Sequence, residues 1–342
     1  MSIAIQTEEE LEERLSRPSD ADAAAMASLD GDLLILGAGG KMGPSLARRA
    51  RRAAERAGIS KRIIAVARFS NQDLIEQFRS QGIETITADL LEPGALSGLP
   101  DIANVIFMAA RKFGTSGAEH LTWAMNTYLP GMVAERYRNS RIVAFSTGNV
   151  YPLRSVGQGG ATEFTPPEPV GEYGQSALGR ERMFEYAASK WNTQVAILRL
   201  NYAIDLRYGV LPDIGRTVYE GRPVDVRMGL VNVIWQGDAN AQAIRALELA
   251  ASPPFVVNVT GPERLSVRET AAKLGALLGV TPRTEGTEAP DALLSDTSLA
   301  QSRFGPPDVS TDQLIEWVAS WVARGGTRLG KATKFEVRDG RY

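Results

Sequence analysis

The chain has 342 residues, of which 44% are hydrophobic and 23% charged, so its composition is that of a globular protein rather than a collagen-like or disordered one. Its 38 Lys and Arg residues nearly balance its 40 Asp and Glu residues, and the formal net charge of -2 argues against a basic, nucleic-acid-binding protein. The absence of cysteine excludes disulfides, iron–sulfur clusters and thiol nucleophiles, and the single histidine, His120, excludes a site in which several histidines bind a metal.

The N-terminus carries no recognisable targeting or membrane segment. No apolar run approaches the ~20 residues needed to span a bilayer, and the acidic first residues lack the charged-then-apolar pattern of a signal peptide. We therefore expect a cytoplasmic protein with no metal, nucleic-acid or membrane partner. Residues 1–30 are predicted to form a peripheral extension that includes a short acidic helix from Glu8 to Leu15.

From residue 31, short apolar runs alternate with amphipathic stretches, which predicts strands alternating with helices. The predicted strands are Leu33–Leu36, Arg62–Ala67, Glu84–Thr87, Val105–Met108, Arg141–Phe145 and Gln194–Leu200. The predicted helices are Met42–Ala57, Asn71–Ser80, Ala118–Arg138 and Gly174–Lys190. This alternation predicts an α/β fold with a doubly wound parallel sheet.

After residue 204, frequent Pro and Gly residues break the pattern. Further elements are predicted at Asp238–Ala251, Phe255–Val259, Ser266–Leu278 and Thr311–Arg324, of which only Phe255–Val259 is a strand. We predict a first domain over 31–204 with room for later strands, and a smaller C-terminal α/β substrate lobe over 205–324. A polar, glycine-rich tail over 325–342 is expected to lie on the surface or against a partner.

The glycines of the segment LLILGAGGKMG stand between the first predicted strand and the first predicted helix of the sheet. Gly37, Gly40 and Gly43 have the spacing GxxGxxG, and the absence of side chains there would allow a pyrophosphate to reach the N–H groups at the helix N-terminus. A second strand follows about 20 residues later, as in dinucleotide-binding units. We include Lys41 and Met42, within the same turn, among the predicted cofactor contacts.

The end of the second strand bears on which dinucleotide binds. The strand ends in Ala67 and Arg68, with no acidic residue to bind the adenosine ribose. A fixed guanidinium suits a 2′-phosphate, so NADP is favoured and NAD is the alternative, although Arg68 could also be an ordinary solvated residue. Asp89, after the third strand, could accept a hydrogen bond from adenine or cap a turn.

Five motifs follow one another in an order that resembles the extended short-chain dehydrogenase/reductases of the NAD(P)-dependent epimerase/dehydratase type. They are the glycine turn, Asp89-Leu90, Ala109-Ala110, FSTGNVYP with Thr147, and EYGQSALGRERMFE with Tyr173. The resemblance covers about residues 31–323 and implies a Rossmann-type nucleotide-binding sheet. It also implies that Asp89 and Leu90 contact the adenine and that Ala109 and Ala110 line the nicotinamide side.

The same resemblance implies the chemistry of the site. Tyr173 would exchange a proton with a substrate oxygen while Thr147 holds that oxygen, and a lysine four residues after the tyrosine would bind the ribose and lower the tyrosine pKa. This chain departs from the family at that lysine, because the residue is Ala177. Lys112 and Arg180 are the candidate replacement cations, although either could be an ordinary surface charge.

Two functions remain open from the sequence. The first is an NAD(P)-dependent oxidoreductase or epimerase/dehydratase that acts on a small hydroxylated or carbonyl, sugar-like substrate, with Tyr173 as acid/base. The second, favoured by Ala177, is a catalytically weak NADP-binding sensor or scaffold. Asn126, Asn201 and Tyr202 are further candidates for positioning or substrate contact.

Two surface features bear on partners. Five arginines within residues 48–56 form a basic cluster on one predicted helix, a pattern more often found on a solvated face than in a nucleic-acid site. The family resemblance implies a homodimer formed through the two predicted helices Ala118–Arg138 and Gly174–Lys190.

Overall fold

The computed structural model describes residues 4–114, 117–331 and 333–341. The α-helices of these residues are α1 (Glu8–Ser16), α2 (Asp20–Ser28), α3 (Gly43–Arg56), α4 (Gln72–Ser80), α5 (Glu119–Trp123), α6 (Leu129–Arg136), α7 (Gly171–Trp191), α8 (Val210–Tyr219), α9 (Gln236–Arg245), α10 (Val267–Leu278), α11 (Ser298–Phe304) and α12 (Thr311–Ala323). The strands are β1 (Leu33–Leu36), β2 (Ile63–Ala67), β3 (Glu84–Thr87), β4 (Asn104–Phe107), β5 (Arg141–Thr147), β6 (Arg154–Ser155), β7 (Gln194–Leu200), β8 (Ala203–Ile204), β9 (Pro223–Asp225), β10 (Leu230–Val231), β11 (Ile234–Trp235), β12 (Phe255–Val259), β13 (Leu265–Ser266), β14 (Arg283–Glu285) and β15 (Asp291–Ala292).

Seven strands form the central sheet, in the order β12-β7-β5-β4-β1-β2-β3. Every neighbouring pair is parallel, and Leu34 at the centre of β1 lies opposite Ile64 on one side and Val105 on the other. The chain order reverses between β1 and β4. In open parallel sheets a ligand crevice forms at such a reversal, outside the carboxyl ends of the strands.

Helices cover both faces of the sheet. Leu33 and Ile35 of β1 belong to one apolar cluster, which includes residues of α3, α4 and α9. Leu34 and Leu36 point to the opposite face and belong to a second cluster with α6 and α7. Because successive side chains of a strand alternate between faces, this double burial confirms the predicted doubly wound α/β fold. No helix within the described residues has both the length and the apolar character needed to cross a membrane.

The C-terminal lobe has its own apolar core, built on α8, α10 and α12. The chain leaves this lobe to place β12 beside β7 at one edge of the sheet. The tail then packs back on its own chain, with Phe335 buried in the lobe core.

The basic cluster on α3 is neutralised by acidic residues, mostly from the N-terminal extension. The ion pairs are Arg48–Glu13 (3.5 Å), Arg49–Asp22 (2.6 Å), Arg51–Glu55 (2.8 Å), Arg52–Glu13 (2.8 Å) and Arg56–Asp20 (2.5 Å). Residues 1–30 therefore contain two helices, α1 and α2, that match the charge of α3. This internal pairing leaves no free basic stripe on α3.

Two predicted helices differ from those in the structure. The single helix predicted over Ala118–Arg138 is helical from Glu119 to Arg136, but it is not a regular α-helix, because a π-helical turn at Ala124–Tyr128 lies between α5 and α6. Pro130 follows directly and cannot donate a backbone hydrogen bond, which interrupts the regular i to i−4 pattern at this point. Helix α7 begins three residues earlier than predicted, so Tyr173 lies in its first turn.

Candidate functional site

The glycine turn is shaped partly by packing and partly by the space it leaves open. Gly37 has φ +93°, and a Cβ there would lie 2.6 Å from the backbone nitrogen of Ala109. A Cβ on Gly43 would overlap the carbonyl of Ala38. At Gly40, by contrast, a Cβ would meet only the Gly37 oxygen at an ordinary 3.5 Å. The fold itself thus explains Gly37 and Gly43, whereas Gly40 leaves room for a ligand.

The N-terminus of α3 fits the pyrophosphate of a dinucleotide. No side chain caps this end of the helix, and Met42 is the residue at the cap position. The free N–H groups and the positive end of the helix dipole attract an anion. Gly40 and Met42 both line the adjoining cleft, so the predicted contacts at this turn are brought together.

Lys41 extends from the glycine turn toward the C-terminal lobe. Its Nζ donates a hydrogen bond to the Ala203 carbonyl at 2.9 Å and lies 4.1 Å from the centroid of the Tyr208 ring. Burial lowers the pKa of this ammonium to about 7, against the opposing charge of Asp205. A bound anion would restore its full positive charge.

The predicted adenine contacts lie at the ends of β2 and β3, outside the lining of the cleft that holds Tyr173. Arg68 is exposed, and its Nη1 lies 3.8 Å from Oδ2 of Asp89. The other Asp89 oxygen, Oδ1, accepts a hydrogen bond from the Leu91 nitrogen at 3.1 Å, so this carboxylate also caps its turn. Leu90 is buried in the core.

Tyr173 and Thr147 line the same cleft as the glycine turn. Thr147 ends β5, and its hydroxyl accepts a hydrogen bond from the Asn149 nitrogen at 3.2 Å, which fixes the side chain at the cleft wall. The Tyr173 side chain is largely buried. Ala110 also lines the cleft, which has a volume of about 310 Å³, while Ala109 lies behind it against Gly37.

Ala177 occupies a fully buried, apolar position. It packs in a small cluster with Val150, Tyr151 and Ala161. Its methyl side chain carries no charge and cannot act electrostatically on the phenol of Tyr173. Any cation that assists Tyr173 must therefore come from another position.

Arg180, seven residues after Tyr173, supplies one such cation. Its buried guanidinium donates to the carbonyl of Phe145 (2.6 Å) and to Oδ1 of Asn126 (3.0 Å) and lines the cleft. Burial lowers the pKa of this guanidinium, and the charge of Tyr173 acts in the opposite direction. Because Arg remains charged in proteins, the floor of the cleft carries a permanent positive charge.

Lys112 supplies a second cation near the phenol. Its Nζ lies 5.7 Å from the centroid of the Tyr173 ring. Burial lowers the pKa of the Lys112 ammonium to about 8, against the opposing charge of Glu336. Lys112 also lines the cleft.

Asn126 holds the loop that carries Lys112. Its Oδ1 accepts from the Arg111 nitrogen at 2.8 Å, and its Nδ2 donates to the Arg111 carbonyl at 2.9 Å. The residue lies in the π-helical turn, a feature that often marks functional sites. The sequence indicated Asn126 as a candidate for positioning. Its two hydrogen bonds to the Arg111 backbone connect it to the loop that carries Lys112.

Comparison with known proteins identifies the family of this chain. The model of the NAD dependent epimerase/dehydratase family matches residues 33–223, more than half of the chain. The chain belongs to this family. No curated protein matches its sequence.

Several solved structures share the epimerase/dehydratase fold with this chain. MoeE5 in complex with UDP-glucuronic acid and NAD is 23% identical (TM-score 0.67) and aligns with 86% of this chain and 100% of its own. A UDP-glucuronic acid 4-epimerase from Bacillus cereus is 18% identical (TM-score 0.71; 86% and 99%). A dTDP-glucose 4,6-dehydratase from Bacillus anthracis is 16% identical (TM-score 0.72; 86% and 97%).

Other residues of the cleft were either only suspected from the sequence or missed. Asn201 and Tyr202, suspected of facing substrate, both line the cleft. Thr333, from the tail, lines it too and was missed. No local pattern in the polar tail could have indicated Thr333, because its position depends on contacts with the distant lobe.

A buried polar network behind the cleft was also missed as a unit. Glu181 accepts hydrogen bonds from Arg199 (2.7 Å) and Ser146 (2.5 Å), and Arg199 donates to the Tyr151 hydroxyl at 2.7 Å. Glu181 belongs to the tyrosine motif, which is the one signal that could have found it. The network joins α7 to β5 and β7 directly below the site.

Proposed function

We propose that this protein is an NAD(P)-dependent oxidoreductase or epimerase/dehydratase that acts on a small hydroxylated or carbonyl, sugar-like substrate. The observation that carries this proposal is that the glycine turn, Thr147 and Tyr173 line a single cleft at the carboxyl ends of the strands. NAD and nucleotide-linked sugars in the structural relatives support the same class of chemistry.

Each side chain has a distinct task in this proposal. The Tyr173 oxygen takes a proton from a substrate hydroxyl, or gives one to a carbonyl, and the Thr147 hydroxyl donates a hydrogen bond to the same substrate oxygen. When bound, the nicotinamide cofactor supplies the carbon that accepts or returns the hydride. Arg180 and Lys112 stabilise the ionised phenol electrostatically, in place of the lysine that is absent at Ala177.

The decisive experiment measures turnover and cofactor binding separately in three variants. Tyr173→Phe removes the proton-transferring hydroxyl, so we expect a loss of about 10² to 10⁴ in turnover with cofactor affinity retained. Lys112→Met should lower turnover less, while Lys190→Met changes an exposed lysine of the same helix as Tyr173 and should have no effect. Turnover is followed with a panel of sugars and sugar acids in two ways: nicotinamide absorbance detects net oxidation or reduction, and NMR of the products detects epimerisation or dehydration, in which the hydride is returned.

The same assay decides between an enzyme and a sensor. A sensor that binds cofactor without turnover is the second candidate, favoured by Ala177 alone. Cofactor binding with neither an absorbance change nor a new product across the panel would favour the sensor. Unchanged turnover in Tyr173→Phe would contradict the proposed acid/base role.

We propose NADP as the preferred cofactor, supported by exposed Arg68 at the end of β2. Loss of a charge-assisted contact to the 2′-phosphate in Arg68→Ala should weaken NADP binding about 10-fold or more and leave NAD binding unchanged. Arg62→Ala, at the opposite end of β2, is the matched control. Calorimetry in which the wild-type protein binds NAD more tightly would contradict this preference.

We further propose that two copies of the chain associate through α5, α6 and α7. The support is a set of exposed apolar side chains on these elements and the π-helical turn between them: Leu121, Trp123, Tyr128 and Tyr186.

The cysteine-free composition supports a cytoplasmic location.

A further inference from the structure

The C-terminal residues 333–340, which we call the strap, are fastened to the lobe at several points. The backbone nitrogen and the hydroxyl of Thr333 donate to Oδ2 of Asp213 at 2.8 and 2.6 Å. Phe335 is buried in the lobe core. Arg338 donates to the Asp291 carbonyl at 2.9 Å and pairs with the Asp291 carboxylate. These contacts fix the strap in one path.

The far end of the strap reaches the helix that carries Tyr173. A Cβ on Gly171 would lie 2.6 Å from the Gly340 carbonyl oxygen, and a Cβ on Gly340 would overlap the carbonyl of Val170. Both glycines have positive φ, +75° and +73°, which other residues rarely adopt. The strap therefore joins the lobe to α7 two residues before Tyr173.

Between these two ends the strap passes along the cleft. Thr333 lines the cleft directly, and the Tyr202 hydroxyl donates to the Phe335 carbonyl at 3.4 Å. Glu336 is close enough to raise the pKa of Lys112, although burial lowers it more. The strap thus covers the side of the cleft that faces the lobe.

The space left beneath the strap is small. Ligand pockets typically have volumes of about 300–1,000 Å³, and the 310 Å³ of this cleft must receive the nicotinamide end of the cofactor together with the substrate. Thr333 of the strap bounds this space, so a nucleotide attached to the substrate would meet the strap on the side that faces the lobe.

The charges in the cleft select an anion. The side chains of Lys41, Lys112 and Arg180 line it, whereas no Asp or Glu does so among the described residues. The Nε of Arg180 is buried without a hydrogen-bond partner in the described part of the chain. Buried cations are costly unless an anion pairs with them. The cofactor pyrophosphate would lie at the glycine turn, beside Lys41. At the Tyr173 end, the charge of Lys112 is partly balanced by Glu336 of the strap, so the permanent charge of Arg180 is the main attraction for an anionic substrate.

We infer that the substrate is a free, sugar-sized molecule with an anionic group, bound under the strap without a nucleotide carrier. This inference rests on the proposed function and specifies its substrate class. The shared chemistry is an anionic substituent, which a carboxylate or a phosphate could supply. The carrier-linked sugars of the structural relatives would then be excluded.

The test compares matched sugars by calorimetry on the cofactor-loaded, full-length protein. The probes are glucuronic acid, glucose 6-phosphate, neutral glucose and UDP-glucuronic acid. We expect glucuronic acid or glucose 6-phosphate to bind at least 10-fold more tightly than the other two, and the tighter of the pair identifies a carboxylate or a phosphate. Equal binding of glucose, tighter binding of UDP-glucuronic acid, or no binding of any probe would overturn the inference.

Strap variants test the cause of this selectivity. Gly340→Val should displace the strap from α7, weaken binding of the small anion about 10-fold and admit UDP-glucuronic acid. A chain that ends at Gly330 should do the same, and Asp339→Asn is the control at an exposed strap position. If both variants keep the wild-type preference, the strap does not set it. Because calorimetry detects binding without turnover, failure of the proposed redox chemistry would be recognised separately by nicotinamide absorbance.

Discussion

Ala177 and the cations near it determine the positive charge around Tyr173. The family lysine is replaced by a small side chain that fits an apolar cluster. Positive charge near Tyr173 comes instead from Arg180, one helical turn further along α7, and from Lys112 on a neighbouring loop. Replacing one lysine by alanine therefore relocates the charge of the site without removing it.

Lys41 should make cofactor binding dependent on pH. Its pKa of about 7 in the free protein means that the ammonium predominates below pH 7, and a bound diphosphate would raise that pKa. Binding should then take up a proton above pH 7, so affinity is highest below pH 7 and falls as pH rises toward 9. Calorimetry in two buffers of different ionisation enthalpy measures the proton uptake.

Two variants assign this effect. Lys41→Met should bind cofactor more weakly at pH 6.5 and show a smaller pH dependence. Lys273→Met, at an exposed lysine of α10, should behave as the wild type. A wild-type dissociation constant that is the same at pH 6.5 and pH 9 would exclude the role of Lys41.

The N-terminal helices α1 and α2 supply acidic side chains that form ion pairs with the arginines of α3. Asp22 pairs with Arg49 at 2.6 Å, and both side chains are almost fully buried. Asp22 also accepts from the Ser19 nitrogen at 2.9 Å as part of the cap of α2. One carboxylate thus fixes the start of α2 and its attachment to α3.

Asp22→Ala should be strongly destabilising, because it leaves the Arg49 charge buried and unpaired. We expect a loss of about 3–5 kcal/mol in the free energy of unfolding, measured by urea denaturation. Asp20→Ala breaks the exposed pair with Arg56 and should cost at most about 1 kcal/mol. Similar losses in the two variants would contradict the importance of burial. If Asp22→Ala does not fold, Asp22→Asn tests the same pair with its shape retained.

The sequence predicts an element when the residues that determine it are close together in the chain, and it fails when they are far apart. The apolar runs that form β1, β2 and β5 were predicted correctly because the strand period is a local property. The motifs around Thr147 and Tyr173 could be located for the same reason, since residue spacing is also local. The pairing of β12 with β7 joins residues that are far apart in the chain, and only tertiary packing decides it. The path of the strap has the same origin, since its single buried aromatic residue, Phe335, gives no periodic signal.

For the molecule as a whole, the exposed apolar residues of α5, of the π-helical turn at Ala124–Tyr128 and of α7 should make the protein dimeric. We expect light scattering to give twice the chain mass of 36.9 kDa at micromolar concentration. A double substitution, Tyr128→Glu and Tyr186→Glu, should yield the single-chain mass, because buried unpaired carboxylates oppose association. Tyr219→Glu, at the exposed C-terminal end of α8, should leave the dimer intact. A single-chain mass for the wild type would contradict this assembly.

The cysteine-free composition has a practical consequence for the strap. A thiol introduced at exposed Asp339 would be unique in the molecule, so a fluorophore or spin label attached there would report from a single place. Its signal would report the mobility and surroundings of this segment in real time, including any opening that accompanies entry and release of a ligand.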